Sequence, residues 1–203
     1  MRGSILFESY EQFAEEGGLP GPPSSVLRGA LFPCIVDPMA FIPQSPQGAH
    51  LIVFSGISGS GKTHAALEHQ AELRAKGYQV LKVNRDDIRT DLFGESYHTV
   101  TPIQELERDV TSLQRKLIYH GLKRGWTVIS DDTNLHPAGI KDLRRIAEEN
   151  EARFDEIPVI VPLELALERN RQRAAAGGRF VPEEVIASMF EKQQNRLRSQ
   201  GKI

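Results

Sequence analysis

The residues best suited to chemistry fall in one octet, Gly56-Ile57-Ser58-Gly59-Ser60-Gly61-Lys62-Thr63, which fits the phosphate-binding pattern G-x-x-x-x-G-K-[ST]. Glycines at Gly56, Gly59 and Gly61 let the backbone turn with positive φ, so the N–H groups of this loop, those of Ser58 and Ser60 included, can approach phosphate oxygens. Lys62 supplies positive charge for the β and γ phosphates, and the Thr63 hydroxyl can ligate Mg²⁺. His64 follows in the first turn of the helix expected there and joins the candidate nucleotide-binding set. This is the chemistry of a nucleoside triphosphate such as ATP held with magnesium. It leaves the acceptor open.

Phosphoryl transfer also needs an acceptor hydroxyl in line with the γ-phosphate and a carboxylate to take its proton. Two pairs of carboxylates offer themselves, Asp86/Asp87 and Asp131/Asp132. Aspartates after strands often cap helices, and one member of each pair is expected to cap while the other faces the nucleotide. Arg89 lies three residues beyond Asp86, so the two side chains share a face if the segment is helical. That pairs a general base with an anion-binding guanidinium. Further on, Arg169 and Arg173 stand one turn apart ahead of Ala174-Ala175-Ala176-Gly177-Gly178, a hinge from which arginines can move onto developing charge. A solvated basic helix face is the plainer alternative for Arg169 and Arg171.

These residues must be positioned by alternating strands and helices. The apolar run Leu51-Ile52-Val53-Phe54 reads as a strand, followed after the octet by a helix from Thr63 to about Lys76 that stops at Gly77. Gln79–Asn84 reads as a second strand with Asp86 and Arg89 at its carboxyl end. Thr101-Pro102-Ile103-Gln104 has the pattern of a capping box with proline at the first helical position, opening a helix to about Lys123. Trp126–Ser130 reads as a third strand delivering Asp131 and Asp132, Pro137 to about Glu149 as a helix, and Phe154–Val161 as the site of a fourth strand. Helices from Leu163 to Arg173 and from Pro182 to about Arg198 close the chain. The alternation predicts an α/β fold, a mostly parallel sheet with helices on both faces. Ligands of such sheets lie beyond the carboxyl ends of the strands, where all three chemical segments fall.

Residues 1–50 differ from the rest, holding seven of the twelve prolines, a spacing that forbids long helices or central strands. They are expected to form a Pro-rich arm that packs on or extends from the core, with a short helix over Glu8–Glu16; a kinase-like domain occupies 51–203, with a lid near 169–181. At 203 residues, 39% apolar, 26% charged and a formal charge of −2, the chain reads as soluble and globular, with no basic excess for coating nucleic acid indiscriminately. No run is long and apolar enough for a membrane span, the N-terminus lacks the pattern of a signal peptide, and the single Cys34 suits a reducing cytoplasm. The remaining histidines show no metal-ligand spacing. Tyr97, His98 and Trp126 could stack on a base, although single aromatics usually serve the core.

Asn84-Arg85-Asp86-Asp87-x-Arg89 after the octet, then Ile129-Ser130-Asp131-Asp132-Thr133-Asn134-Leu135, then Arg169-Asn170-x-x-Arg173, closely resembles the kinase domain of phage-type 5′-hydroxyl polynucleotide kinases, in the same order from Leu51 to about Gln194. The resemblance implies a P-loop kinase that moves the γ-phosphoryl group of ATP to a nucleic-acid hydroxyl, the 5′ end of DNA or RNA. It makes Asp86 the general base, with Lys62 and Arg173 acting on the transferred phosphate and Arg169 and Arg173 in a lid over the donor. Arg89 would bind the phosphate next to the acceptor hydroxyl, Asp132 and Asp87 would line the acceptor side, and Asp132 would join Thr63 in the magnesium shell. The chain departs from the pattern at His64, where a second hydroxyl is usual, and at the extra carboxylate Asp131. It has no D-x-D signature, so the phosphatase often joined to such kinases is expected to be absent. A kinase of hydroxymethylated pyrimidines in DNA keeps the chemistry with another acceptor, and a nucleotide-dependent switch with slow hydrolysis is the reading from a different class.

Overall fold

Strand β1 (His50–Ser55) is apolar on both sides because both faces of the sheet it centres are covered. Alternation sends Leu51 and Val53 to one face and Ile52 and Phe54 to the other. This computed structural model describes residues 48–94 and 103–202. The expected N-terminal arm, the helix at Glu8–Glu16, Cys34, and Tyr97 and His98 lie outside the described residues, as do Thr101 and Pro102.

Helix α1 (Lys62–Ala75) follows β1 and the glycine-rich loop, and its chain reverses at Gly77, φ 85°. Strand β2 (Val80–Val83) leads directly into helix α2 (Arg85–Phe93), which puts the Asp86 segment in a helical first turn. Helix α3 (Gln104–Lys123) starts after Ile103, whose side chain makes no capping bond; the capping box expected from Thr101 begins outside the described residues. Strand β3 (Thr127–Asp131) is buried along its whole length, one residue further than the sequence reading had it. Helix α4 (Pro137–Glu149), strand β4 (Arg153–Pro158), helix α5 (Leu163–Ala175) and helix α6 (Glu183–Ser199) complete the order.

The four strands run in the order β2-β3-β1-β4, and every pairing is parallel. Helices α2, α3 and α4 bury Ile88, Val110, Ile118, Leu122, Ile140 and Leu143 against the Leu51, Val53, Val83 and Val128 face. Helix α1 covers the opposite face, where Ala66 meets Ile52, Phe54, Val80 and Ile129. A Cβ at Gly121 would lie 2.7 Å from Val128 Cγ2 and 3.2 Å from Leu81 Cδ2, so this glycine is what lets α3 come down onto the sheet.

From β1 the chain leaves to one face and towards β2. From β3 it leaves to the other face and crosses to β4. The crevice between the carboxyl ends of β1 and β3 is therefore the topological switch point of the sheet. Gly56 N donates to Thr133 O there at 2.9 Å, joining the glycine-rich loop to the Asp131–Asp132 segment. A third apolar cluster, Ile57 with Ala166, Val181 and Ile186, docks α5 and α6 over this edge. Among the described residues no helix is long and apolar enough to cross a membrane.

Candidate active site

The loop between β1 and α1 owes its shape to glycines that touch other elements. Gly59 has φ 81° and Gly61 φ 92°. A Cβ on Gly59 would come within 2.4 Å of Ala166 O on α5. Gly61 is the N-cap of α1, and neither a capping side chain nor an acidic first-turn residue covers that helix end. Its first N–H groups and positive dipole end are thereby left to an outside anion.

Lys62 curls under the loop, its Nζ donating to Ile57 O at 2.6 Å and to Ser60 Oγ at 3.4 Å. Burial draws its pKa down to about 8, while the nearby carboxylates Asp131 and Asp132 pull the other way. A triphosphate at this loop would add the negative charge that a buried ammonium lacks.

The end of β2 supplies a different kind of helix start. Asn84 Oδ1 accepts from the backbone N–H groups of Asp86 at 2.6 Å and Asp87 at 3.3 Å, so asparagine caps α2. Its Nδ2 reaches across to Asp131 O and to Asp131 Oδ2, fixing the start of α2 on the end of β3. The expectation that one aspartate of each pair caps a helix is thus corrected. Asp86 and Asp87 fall inside the first turn that Asn84 already caps, and α4 begins after His136, well beyond Asp131 and Asp132.

From this capped turn Asp86 projects over the crevice. Its Oδ1 accepts from Arg89 Nη1 at 2.5 Å and from Arg179 Nη1 at 2.8 Å. Arg89 in turn forms a two-pronged pair with Glu107 of α3, Nε to Oε1 at 2.7 Å and Nη2 to Oε2 at 2.6 Å, which raises the guanidinium pKa above its ordinary value. Asp132 is nearly buried: Oδ1 accepts from Arg85 N at 3.2 Å and Oδ2 from Gln114 Nε2. Burial raises its pKa against the opposing charge of Arg85. Asp131 is 1% exposed; its Oδ2 faces Asn84, and its Oδ1 has no hydrogen-bond partner.

These groups border one cleft of about 480 Å³, walled by Ser58, Lys62 and Thr63 on one side, by Asp86, Arg89, Asp131 and Asp132 on another, and by Arg179 and Phe180 above. Several residues singled out in the sequence stand elsewhere. Asp87 pairs with Lys82 at 2.8 Å on the outer side of α2. His64 is exposed on α1 and faces Glu68 at 3.2 Å. Arg169 donates to Gly59 O and Ser60 O at 3.5 and 3.3 Å, on the carbonyl side of the loop. Arg173 lies at the rim, bonded to Ser58 Oγ at 3.3 Å and Asn170 Oδ1 at 2.9 Å, and burial together with Arg179 lowers its pKa.

Sequence reasoning quotes Asn84 in a motif without giving it a role, and does not single out Glu107, Gln114 or Arg179. Only Asn84 carried a local signal, as an asparagine between a strand and a helix.

A glycine-rich loop at the switch point of a parallel sheet, a lysine beneath it, carboxylates on the next two strand ends and arginines arriving from a capping helical layer define a P-loop kinase domain. Residues 51–197 match the AAA domain family, and the chain belongs to that family. It is 31% identical over 144 residues to the L-seryl-tRNA(Sec) kinase of Methanococcus maripaludis, a match covering 70% of this chain and 51% of that protein. It is also 31% identical over 138 residues to the protein assigned as a bifunctional polynucleotide kinase/RNA ligase in Autographa californica nuclear polyhedrosis virus, covering 64% of this chain and 19% of that one. Among solved structures, a chain of the Pnkp1/Rnl/Hen1 RNA repair complex superposes with a TM-score of 0.65 at 24% identity, over 75% of this chain and 46% of that chain. The chain thus spans about half the length of the first relative and about a fifth of the second.

Proposed function

We propose that this protein is an ATP-dependent kinase whose acceptor is a hydroxyl carried by nucleic acid, the 5′-hydroxyl end of a DNA or RNA strand. The observation that carries the reading is Asp86: one carboxylate oxygen is held by Arg89 and Arg179 in the cleft that also contains Lys62 and Thr63. A switch protein has no use for such a held carboxylate opposite its phosphate loop. An acceptor hydroxyl placed between Asp86 and the loop would give its proton to Oδ2 as its oxygen bonds to the γ-phosphorus, the bond to the β-phosphate oxygen breaks, and ADP departs. Arg89, already at the base, suits the phosphate adjoining that hydroxyl, and Arg173 and Arg179 suit charge on the transferring group.

The residues present fit magnesium bound with ATP. Thr63 borders the cleft, and the unpartnered, buried Asp131 Oδ1 is an acceptor to which a hydrated cation could donate. Both oxygens of Asp132 are engaged, which favours an acceptor-side role for it. Among the described residues no three His, Cys, Asp or Glu side chains converge on one point. When bound, the cation would neutralise charge on the β and γ phosphates.

The likeness to a protein named as a kinase of seryl-tRNA favours a second reading, in which the hydroxyl is carried by a tRNA-borne group. Transfer of labelled γ-phosphate should be compared on a 5′-hydroxyl oligonucleotide, closed circular DNA with and without hydroxymethylated pyrimidine, seryl-tRNA and free nucleosides, with wild type and Asp86→Asn. Labelling of the open 5′ end, lost in the variant, is the expected result. Labelling of seryl-tRNA or of the modified circle instead replaces the acceptor, and phosphate release without any labelled acceptor overturns the kinase reading.

A further inference from the structure

Glu107 lines the active-site cleft. That residue also borders a shallow depression of about 500 Å³ on the outer side of α3. Arg115, in the wall of this depression, also lines a smaller one of about 140 Å³ that returns to Arg85 and Thr133 in the cleft. The three hollows therefore share wall residues around the first half of α3.

Along this helix Arg108, Ser112, Arg115, Lys116, Tyr119 and Lys123 recur at spacings of three and four residues, and all six are exposed. At 3.6 residues per turn they occupy an arc of about 100°, and they run about 22 Å from the cleft end outward. Arg108 and Lys116 form no ion pair with any described residue. Arg115 shares its charge with Asp142 at 2.5 Å. Glu105 is the carboxylate inside the arc and Asp109 flanks it, so cations outnumber anions along the stripe. In a chain of net charge −2 this is a local concentration, not a consequence of general basicity. The ring of Tyr119 lies exposed within the stripe, with Lys123 Nζ 5.7 Å from its centroid.

We propose that this stripe is the track for the strand behind the acceptor terminus. A single-stranded polynucleotide leaves the cleft past Glu107, sets successive phosphates on Arg108, Arg115 and Lys116, and stacks a base on Tyr119. Phosphate-tracking cations interleaved with an aromatic platform suit single strands, whose bases are free to stack, better than duplex or an acidic protein. The inference rests on the nucleic-acid reading above and narrows it: the substrate is a polynucleotide, recognised over about four nucleotides, and not a mononucleotide.

The test uses the full chain and the variant Arg108→Glu/Lys116→Glu, with Arg108→Gln/Lys116→Gln as a milder pair should charge reversal disturb folding. Binding of fluorescent single strands of about 12 nucleotides, DNA and RNA in separate arms, is followed by anisotropy from roughly 50 to 200 mM salt. Transfer is measured to the same strands and to a 3′-phosphorylated nucleoside. The wild type should show a KM at least about tenfold lower for the strand than for the nucleoside. The variant should lose that advantage without loss of kcat, keep its activity on the nucleoside, and show a salt slope smaller by about 1.4, or 0.7 for each phosphate contact removed. An unchanged slope with unchanged strand KM overturns the track while leaving the kinase reading intact, as does equal competition by polyglutamate. If the wild type labels no nucleic-acid hydroxyl, the kinase reading fails separately, and the track stands or falls on the anisotropy slope.

Discussion

Asp86 and Arg179 lie 93 residues apart in the chain and meet above the cleft, Nη1 of the arginine donating to Oδ1 of the aspartate at 2.8 Å. Arg89 donates to the same oxygen, so two guanidiniums hold one oxygen of this carboxylate at the border of the cleft. The pairing also ties the connection between α5 and α6 to the first turn of α2. The arm that bears the rim arginines is thus latched beside Asp86.

Removing the latch should damage turnover more than folding. Arg179 is 41% exposed on its side chain and Asp86 51%, and ion pairs that open to solvent contribute little to stability. Arg179→Ala is expected to lower kcat on any accepted hydroxyl by about 10- to 100-fold with Tm nearly unchanged, and Arg179→Lys to restore part of the loss. Steady-state kinetics beside thermal unfolding separates the two effects. A variant with full kcat would show that Arg179 only decorates the rim.

The distinction between Arg179 and Arg173 marks how far the sequence could be read. Strand ends, the glycine octet and the register of Asp86 and Asp132 are local or periodic features, and the fold follows from them. Which arginine reaches the carboxylate depends on the path of the connection 176–182, which no periodicity specifies. Glu107 was equally hidden, because its pairing with Arg89 is decided by how α2 and α3 cross. Asp131 and Asp132 are adjacent in sequence and indistinguishable there; both are buried, and the reach of Asn84 to one and of Arg85 and Gln114 to the other separates them. Arg169 and His64 sit in the expected helices, yet their faces turn one to the carbonyl side of the loop and the other to solvent.

Lys62 should make stability depend on pH in alkaline solution. Its pKa is about 8 in the fold against an ordinary 10.5, a gap worth about 3 kcal/mol. Below pH 8 the fold carries the whole cost of a buried ammonium. Between about 8 and 10.5 the folded lysine has released its proton while the unfolded one keeps it, so stability gains from rising pH, and above that window the cost is gone. Relative to Lys62→Met, the wild type should therefore be less stable at pH 7 by up to about 3 kcal/mol and close the gap by pH 10.5. Urea unfolding of both proteins across this range measures it. A difference that stays constant with pH would mean that the lysine is not held in a protonation-sensitive site.

Gly59→Ala tests the loop through its support, not through the phosphate. The new methyl group would meet Ala166 O at 2.4 Å in a backbone of φ 81°. Both the strain and the clash push the loop off α5, at a cost of about 1–3 kcal/mol. The expected outcome is a lower Tm together with nucleotide affinity weakened by at least about tenfold, since the N–H groups no longer share one geometry. Gly77→Ala is the control: it has a similar positive φ but no atom within 4 Å of the added Cβ, so it should lose stability without losing affinity. Equal affinity loss in both variants would remove the claim that α5 shapes the phosphate loop.

Glu107→Gln addresses what holds Arg89. The wild-type pair is two-pronged and sits largely out of solvent, with Arg89 13% and Glu107 23% exposed on their side chains. A glutamine keeps one acceptor but loses the charge, leaving a guanidinium with less compensation and free to turn wholly onto Asp86. Stability should fall by about 1–3 kcal/mol. In the kinetics, the proposed place of Arg89 at the acceptor phosphate predicts that the KM for the acceptor rises about tenfold while the KM for ATP stays the same. This loss should be as large for a 3′-phosphorylated nucleoside as for a long strand, which distinguishes it from removal of the cations on α3. A rise in both KM values together would instead identify Glu107 as a brace for the whole cleft.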